Sequence, residues 1–279
     1  MSDWREESIA RWDSAAPGWA ATREAFQRVN LPVSHWMVEA IRPQPGHRVL
    51  ELAAGLGDTG LLAAELVKPG GSVLITDAAD GMVEAARAHA EELGADNVEV
   101  RAMQAEWIDA PTASVDAVLC RYGYMLLADP ETALRETRRV LKAGGRVALA
   151  VWDLPERNPW ATTVRAAAEE AGISSPPAPN DAGQFALSAP GAVEELLATT
   201  GFDDVEVEGL DLAFEAESLD AWWDVVLQTS ASMLEAVRGL PPAEHYKLRD
   251  AVDAGYAPFV RDDGSLLLPA RALVAAATA

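Results

Sequence analysis

A short apolar strand that runs into a glycine-rich turn constrains the fold of this chain most strongly. The segment RVLELAAGLGDTG covers residues 48–60, with the acidic Glu51 near the end of the strand and Gly55 and Gly57 in the turn. Glycine adopts positive φ at little cost and has no Cβ, so such a turn can bend sharply and come close to a ligand. The pattern predicts a nucleotide-type pocket at the end of a buried strand.

Strand and helix periodicities alternate after this turn. Apolar runs of strand length occur at residues 48–53, 72–76, 98–101, 115–120 and 146–152, with helical patterns between most of them. Alternation of this kind predicts an α/β fold in which a mostly parallel sheet is flanked by helices. The stretch GISSPPAPNDAGQ predicts a loop, and two further strands are expected at 202–214 and 266–278.

The segment between the last two strands is different in kind. From Ser218 onward, apolar residues recur at helical spacing through Val237, which predicts one amphipathic helix, and a second helix is expected after Pro241-Pro242. The sequence therefore predicts four units, which are an N-terminal helical cap (1–42), an α/β core (43–217), a helical insertion (218–262) and a final strand of the core sheet (263–279).

The composition disfavours several classes of function. With 22 basic against 44 acidic residues the net charge is −22, so a nucleic acid would be repelled on average and is not expected as a partner. The single cysteine, Cys120, and four scattered histidines offer no metal-ligand spacing, so no metal site is expected. No run of about 18 apolar residues occurs, and the N-terminus MSDWREESIARWD is charged, which predicts a soluble, cytoplasmic protein without membrane insertion. Oligomer formation stays open.

The glycine turn is compatible with two kinds of cofactor. Gly55, Gly57 and Gly60 complete the GxGxxG pattern of dinucleotide-binding enzymes. Asp77, 20 residues after Gly57, could hold a ribose in either case. Glu51 discriminates, because a carboxylate at the strand end repels a pyrophosphate but accepts hydrogen bonds from an ammonium. S-adenosylmethionine carries an ammonium, a sulfonium and a ribose diol but no phosphate, so the two acidic strand ends favour it.

Four motifs follow one another in a characteristic order. They are VLELAAGLGD, ITDAADGMVEAAR, MQAEWIDAP and VDAVLCRYGYMLLADPETALRETRRVLKAGGRVALAVW. In this order and spacing the chain resembles the class I S-adenosylmethionine-dependent methyltransferases, in particular the UbiE/COQ5-like (methyltransferase type 11) group, most strongly over residues 49–154. The resemblance implies a Rossmann-like sheet whose last strand is antiparallel, S-adenosylmethionine as cofactor, and methyl transfer to a small-molecule acceptor.

The resemblance also implies which residues bind the cofactor. They are Glu51, Ala53, Gly55 and Gly57 around the methionine part, Asp77 at the ribose hydroxyls, Ala78, Met82, Gln104, Ala105, Glu106 and Trp107 around the adenine, and Arg121 beside the methionine part. Trp12 and Trp19 join this set, because the N-terminal segment of related methyltransferases often closes over the cofactor. Two positions depart from the family pattern. Ala53 replaces a more usual glycine, and Gln104 replaces a common aspartate, although its carbonyl can still accept a hydrogen bond from the adenine amino group.

Tryptophans outside the core sheet indicate where the acceptor binds. Several lie in the first 36 residues, and Trp222 and Trp223 lie in the insertion. We expect these two helical regions to meet over the cofactor, with Trp12, Trp19 and either Trp222 or Trp223 lining a cavity for an apolar or aromatic molecule. The alternative is that the tryptophans only attach the helices to the core.

The catalytic residues and the kind of acceptor atom stay open. A protein base is needed only when the acceptor must lose a proton, and the candidates are His35, Asp153, Tyr124 and His245, each with a structural role as its alternative. The sequence does not distinguish O-, N- and C-methylation. Two other functions also stay open, an NAD(P)-dependent oxidoreductase and a non-catalytic regulatory protein that binds S-adenosylmethionine.

Overall fold

Seven strands form one mixed sheet in the computed structural model, which describes residues 2–173 and 182–279. The strands are β1 (Arg48–Glu51), β2 (Ser72–Asp77), β3 (Val98–Ala102), β4 (Val115–Arg121), β5 (Leu141–Trp152), β6 (Asp203–Ala216) and β7 (Leu266–Thr278). Their order across the sheet is β3-β2-β1-β4-β5-β7-β6. Strand β7 is antiparallel to both neighbours and the other pairs are parallel, so the predicted fold class is confirmed.

Helices cover both faces and one edge of this sheet. They are α1 (Ser2–Ala40), α2 (Asp58–Leu66), α3 (Asp80–Glu92), α4 (Pro130–Val140), α5 (Pro159–Glu170), α6 (Ala192–Thr199), α7 (Leu219–Thr229), α8 (Ala231–Gly239) and α9 (Pro242–Tyr256), with short 3₁₀ turns at Tyr124–Leu126, Pro155–Arg157 and Ala257–Phe259. The strand order reverses between β1 and β4, which is where open sheets of this type bind ligands, outside the carboxyl ends of the strands.

The core lies between the central strands and the helices that pack on them. Leu50 of β1, Leu119 of β4 and Leu149 of β5 are buried, as expected for strands covered on both faces. Residues 174–181, which include most of the predicted Pro-rich loop, lie outside the described residues. Among the helices that are described, none is long and apolar enough to cross a membrane. The division of the chain into four units stays a prediction.

The predicted single helix through Val237 is wrong, because Ser230 divides it. Ser230 has extended backbone (φ −122°, ψ 92°), and its hydroxyl accepts a hydrogen bond from Met233 N at 3.3 Å, which caps α8. The predicted start at Ser218 is confirmed, since its hydroxyl accepts from Ala221 N at 3.1 Å. A serine that bonds the following backbone competes with helix continuation, which explains the break.

Helix α1 runs for 39 residues across the carboxyl edge of the sheet and packs on α2, α3 and α7. At its crossing with α7 the backbones touch: a Cβ on Gly18 would lie 1.7 Å from the carbonyl oxygen of Gln228. The next residue, Trp19, donates its indole N–H to Thr229 O at 3.2 Å. Gly18 and Trp19 together therefore hold the two helices in direct contact.

We expect Gly18→Ala to separate α1 from α7, because the new methyl cannot fit against a backbone carbonyl. The free energy of unfolding should fall by more than about 2 kcal/mol, as for other overpacked contacts. Chemical denaturation followed by tryptophan fluorescence measures this change. Gly239→Ala, at the end of α8 where a Cβ meets nothing within 4 Å, is the matched control and should keep or slightly raise stability. Equal stability of the two variants would contradict the contact.

Candidate functional site

The glycine-rich turn begins where β1 ends, at Glu51. The φ angles are +48° at Ala53, +55° at Gly55 and +78° at Gly57, so three residues before α2 have a left-handed backbone conformation. A non-glycine residue pays a steric cost in this region, which gives a physical reason for the more usual glycine at the position of Ala53. The turn brings the backbone of residues 53–56 to the edge of a cavity.

Gly60 lies inside α2. Its N–H donates to Glu51 Oε2 at 2.9 Å, and a Cβ at this position would lie 2.4 Å from the same oxygen. The third glycine of GxGxxG is therefore needed here to bring the first turn of α2 onto a buried carboxyl group. No approach to a phosphate is required to explain it.

Glu51 is almost completely buried, with 1% of its surface exposed. Burial raises the pKa of its carboxyl group from 4.5 to about 8, although the Arg121 guanidinium and the Gly60 N–H oppose this rise. Asp58 and Asp77 add to the rise through like charge. Glu51 is thus mostly protonated at neutral pH, and a cation placed beside it would favour the ionised form.

Asp77, at the end of β2, joins its strand to the turn. Its Oδ2 accepts from Gly55 N at 2.8 Å and its Oδ1 accepts from Ala79 N at 3.0 Å. Burial raises the pKa of Asp77, and these backbone N–H groups oppose the rise. Each carboxylate oxygen has a second lone pair, and Asp77 lines the cavity, so the group can accept two further hydrogen bonds, as a vicinal diol requires.

A cavity of about 570 Å³ opens between the carboxyl edge of the sheet, α1 and α7. Of the residues predicted to bind the cofactor, those that line it are Ala53, Gly55, Asp77, Ala78, Met82, Gln104, Ala105, Glu106, Arg121, Trp12 and Trp19. Gln104 Oε1 is buried and has no hydrogen-bond partner among the described residues, so it can accept a bond from a ligand amino group. This part of the cavity, called here the sheet-end half, fits the chemical groups of S-adenosylmethionine.

Three predicted cofactor residues lie outside the lining. Glu51 is buried against the N–H of Gly60, and a Cβ on Gly57 would meet the Ile75 side chain at 3.2 Å. Trp107 is 61% exposed, and the Arg5 guanidinium lies 4.9 Å from the centre of its ring. Trp107 is not among the residues that line the cavity, so an adenine contact by its side chain stays a prediction. Cofactor contact by the remaining residues stays a prediction.

The other part of the cavity, called here the aromatic half, lies beyond Arg121. Its aromatic lining consists of Phe26, Tyr122, Trp152, Trp160 and Trp222. Trp222 rather than Trp223 faces the cavity, since Trp223 is buried against the Arg249 guanidinium at 5.8 Å.

Three aromatic side chains of α1 connect the two halves. The ring centres of Trp12 and Trp19 are 6.0 Å apart, and those of Trp19 and Phe26 are 4.6 Å apart. Sequence reasoning identified the two tryptophans but missed Phe26 and Asn30. The signal for Phe26 was its spacing, because Trp12, Trp19 and Phe26 follow at intervals of seven residues, which places them on one face of a helix.

None of the four candidate bases lines the cavity. Tyr124 is fully buried, with its hydroxyl 2.7 Å from Thr137 Oγ1, and Asp153 accepts from Arg271 Nε at 3.0 Å. His35 is exposed on α1, and His245 packs beside Tyr246 on α9. The structural alternatives given for these residues therefore match their positions better than a catalytic role does.

The carboxylates among the described lining residues are Asp58, Asp77 and Glu106, all in the sheet-end half. Arg121 donates to Asp58 at 3.3 Å, and Arg5 donates to Glu106 at 3.1 Å. In the part of the chain that the structure describes, no three His, Cys, Asp or Glu side chains gather as metal ligands would. The arrangement can therefore hold an uncharged diol and a cation at one end and an apolar molecule at the other.

Comparison with known proteins agrees with this geometry. A family described as a methyltransferase domain matches residues 49–145. The chain is 30% identical over 219 residues to nocamycin O-methyltransferase of Saccharothrix syringae, which covers 75% of this chain and 77% of that protein. It is 36% identical over 115 residues to the ubiquinone/menaquinone biosynthesis C-methyltransferase UbiE of Pasteurella multocida, and this match covers 41% of this chain and 43% of the relative.

Solved structures share the fold. The YcgJ protein of Bacillus subtilis superimposes with a TM-score of 0.60 at 20% identity, covering 88% of this chain and 97% of that one. Phosphoethanolamine N-methyltransferase 2 of Haemonchus contortus, solved in complex with S-adenosyl-L-methionine, gives a TM-score of 0.56 at 16% identity and covers 92% of this chain and 57% of its own length. At these identities the likeness concerns the fold alone.

We expect the affinity for S-adenosylhomocysteine to depend on pH through Glu51. The ammonium of S-adenosylhomocysteine favours the ionised form of the Glu51 carboxyl group. Because the pKa of this group in the free protein is about 8, binding below that pH must release a proton. Affinity should fall by up to about tenfold for each pH unit below 8. Calorimetric titrations between pH 6 and 8 measure the trend.

Two variants make this measurement specific. Glu51→Gln cannot ionise, so it should bind more weakly at pH 8 and show no trend with pH. Glu65→Gln removes an exposed carboxylate of the same helix α2 and should keep the trend of the unaltered protein. A pH-independent affinity of the unaltered protein would contradict the assignment of Glu51 to the ligand ammonium.

Proposed function

Since the chain belongs to the class I S-adenosylmethionine-dependent methyltransferases of the UbiE-like group, we propose that it transfers the methyl group of this cofactor to a small apolar or aromatic acceptor. The observation that carries the proposal is a single cavity with two chemically different halves. The sheet-end half presents carboxylates and backbone groups, and the aromatic half presents rings and aliphatic side chains.

The sheet-end half supplies groups that suit each part of the cofactor. Asp77 would accept from the ribose hydroxyls and Gln104 Oε1 from the adenine amino group. Glu51 does not line the cavity, and its charge would stabilise the ammonium from beneath the lining. The bound cofactor supplies a methyl group activated by its sulfonium. The protein therefore has to align the acceptor with that methyl and exclude water.

The rings of the aromatic half would align the acceptor with the methyl group. Tyr122 and Trp152 stack with ring centres 4.2 Å apart and an interplanar angle of 8°, and Trp160 meets Trp152 edge-on at 4.9 Å. These rigid faces favour a flat apolar molecule. Val225, Val226 and Met233 from α7 and α8 complete the apolar lining.

The names of the relatives are consistent with such an acceptor. They include an O-methyltransferase for nocamycin and a C-methyltransferase of quinone biosynthesis, so we propose an organic small molecule and leave the choice between oxygen and carbon open. A nucleic-acid substrate is not proposed, since the net charge is −22. An NAD(P)-dependent oxidoreductase and a non-catalytic regulatory protein are not favoured by the comparisons.

Cofactor binding and turnover test the proposal in sequence. S-adenosylhomocysteine should bind in the micromolar range or tighter, and NADH should not displace it. With S-adenosylmethionine and a panel of hydroxylated naphthalenes and quinones, we expect S-adenosylhomocysteine to form only when an acceptor is present. Tight NADH binding would favour an oxidoreductase, and cofactor binding without turnover on any acceptor would favour a regulatory protein.

Variants of the two adjacent tryptophans of α7 distinguish an effect on acceptor binding from an effect on stability. Trp222→Ala removes a ring from the aromatic half, so affinity for the neutral fluorophore N-phenyl-1-naphthylamine should fall about tenfold, the effect of roughly 1.4 kcal/mol. Affinity for S-adenosylhomocysteine should stay within about twofold, a change of roughly 0.4 kcal/mol.

Trp223→Ala is the matched control, because both side chains are buried but only Trp222 lines the cavity. This control should leave both affinities unchanged while lowering stability to a similar extent. An equal loss of fluorophore affinity in both variants would show that Trp222 acts only through packing.

A further inference from the structure

We propose that Tyr122 accepts a hydrogen bond from a hydroxyl group of the acceptor and that Asn30 fixes the direction of this bond. The site would then prefer a hydroxylated aromatic molecule over the corresponding methyl ether. The inference rests on the proposed function, because it concerns the acceptor of that reaction. It assigns to Asn30 and Tyr122 a positioning role.

The direction of the bond follows from a chain of three residues. Asn30 is 4% exposed, and its Nδ2 donates to Phe26 O at 2.9 Å within α1. A reversed amide would set two carbonyl oxygens against each other, so the Asn30 oxygen has to face Tyr122. The Tyr122 hydroxyl lies 2.8 Å from that oxygen and must therefore be the donor.

Tyr122 has no second proton to give. Its side chain is partly buried, and desolvation raises the pKa of the phenol far above the ordinary value and keeps it neutral. With its single proton committed to Asn30, the hydroxyl oxygen presents only lone pairs. A ligand in the aromatic half can therefore donate to Tyr122 but cannot accept from it.

The backbone and the ring of Tyr122 are both held in place. Its φ is +62°, an unfavourable conformation for an aromatic residue, and its N–H donates to Ala150 O at 2.8 Å. The ring lies flat on Trp152 at 4.2 Å. Strain of this kind persists where the surrounding structure holds it and is concentrated at functional sites.

Tyr122 lies at the junction of the two halves of the cavity. Arg121, just before it, donates to Asp58 in the sheet-end half. Gly123, just after it, packs so closely on the turn that a Cβ would lie 2.6 Å from the Cβ of Ala53. An acceptor hydroxyl bonded to Tyr122 would thus be held next to the cofactor half, with its remaining lone pairs free to face a methyl donor.

This arrangement distinguishes a hydroxylated aromatic molecule from its methyl ether. A hydroxyl group can donate a hydrogen bond to the Tyr122 oxygen. A methyl ether has no proton to donate, so the lone pairs of the ether oxygen and of the Tyr122 oxygen face each other without a hydrogen bond. The ether therefore lacks the hydrogen bond to Tyr122 that the hydroxyl group makes.

The test uses 1-naphthol and 1-methoxynaphthalene, which differ only in the methyl group. Their dissociation constants are measured by quenching of tryptophan fluorescence, with and without saturating S-adenosylhomocysteine. The ether is the more apolar molecule, so a site without the proposed bond would favour it. We expect the unaltered protein to bind 1-naphthol about tenfold more tightly, the effect of one hydrogen bond of roughly 1.4 kcal/mol.

Variants of Tyr122 and of Asn30 should change the preference for 1-naphthol in different ways. Tyr122→Phe removes the acceptor oxygen, so 1-naphthol should lose its advantage through weaker binding. Asn30→Leu frees the phenol proton, which can then be donated to the ether oxygen, so 1-methoxynaphthalene should bind more tightly than in the unaltered protein. The gain for the ether should disappear in the double variant Asn30→Leu/Tyr122→Phe, whereas a gain caused only by the apolar leucine side chain would remain.

Tyr256→Phe is the control for removal of a buried hydroxyl group. Tyr256 donates to Trp160 O at 2.7 Å and does not line the cavity, so the preference for 1-naphthol should persist. Persistence of the preference in Tyr122→Phe, or an unchanged affinity of Asn30→Leu for the ether, would overturn the proposal. Failure of S-adenosylhomocysteine to bind would instead contradict the proposed function, and the two failures are measured separately.

Discussion

The hydrogen bond from Gly60 N–H to the buried carboxyl group of Glu51 is the contact on which the site depends. It joins the end of β1 to the first turn of α2 where no water reaches, and it leaves room only for glycine at position 60. The intervening turn has to adopt positive φ to connect two elements held so closely. Because the same turn donates Gly55 N–H to Asp77, the positions of the two acidic strand ends are set together.

Helix α1 converts this sheet edge into an enclosed cavity. It is held at several points along its length, by Asp13 to the N–H of Gly81 in α3, by Gly18 against α7, and by Ser34 to Thr59 in α2. Trp12, Trp19 and Phe26 of α1 line the cavity from the sheet-end half to the aromatic half. A cavity that holds both reactants suits a reaction in which the leaving group is already activated and alignment is the main requirement.

Predictions from local patterns held where a residue's role depends on its immediate neighbours in the chain. The strand that leads into Glu51, the glycine turn behind it and the helix start at Ser218 are of this kind. Other roles depend on which way a side chain faces after packing. The sequence left open which of the adjacent Trp222 and Trp223 faces the cavity, and packing places Trp222 there. Trp107 is exposed and is not among the lining residues.

The sequence by itself determined the sheet class, the glycine turn and the two acidic strand ends, because backbone geometry and strand burial are encoded over a few consecutive residues. The tertiary structure alone decided what the cavity presents to an acceptor. Asn30 and Tyr122 are 92 residues apart in the chain, and nothing in either segment indicates that they meet. Their hydrogen bond exists because α1 crosses the end of β4, and that crossing depends on the packing of α1 against three helices distant in sequence.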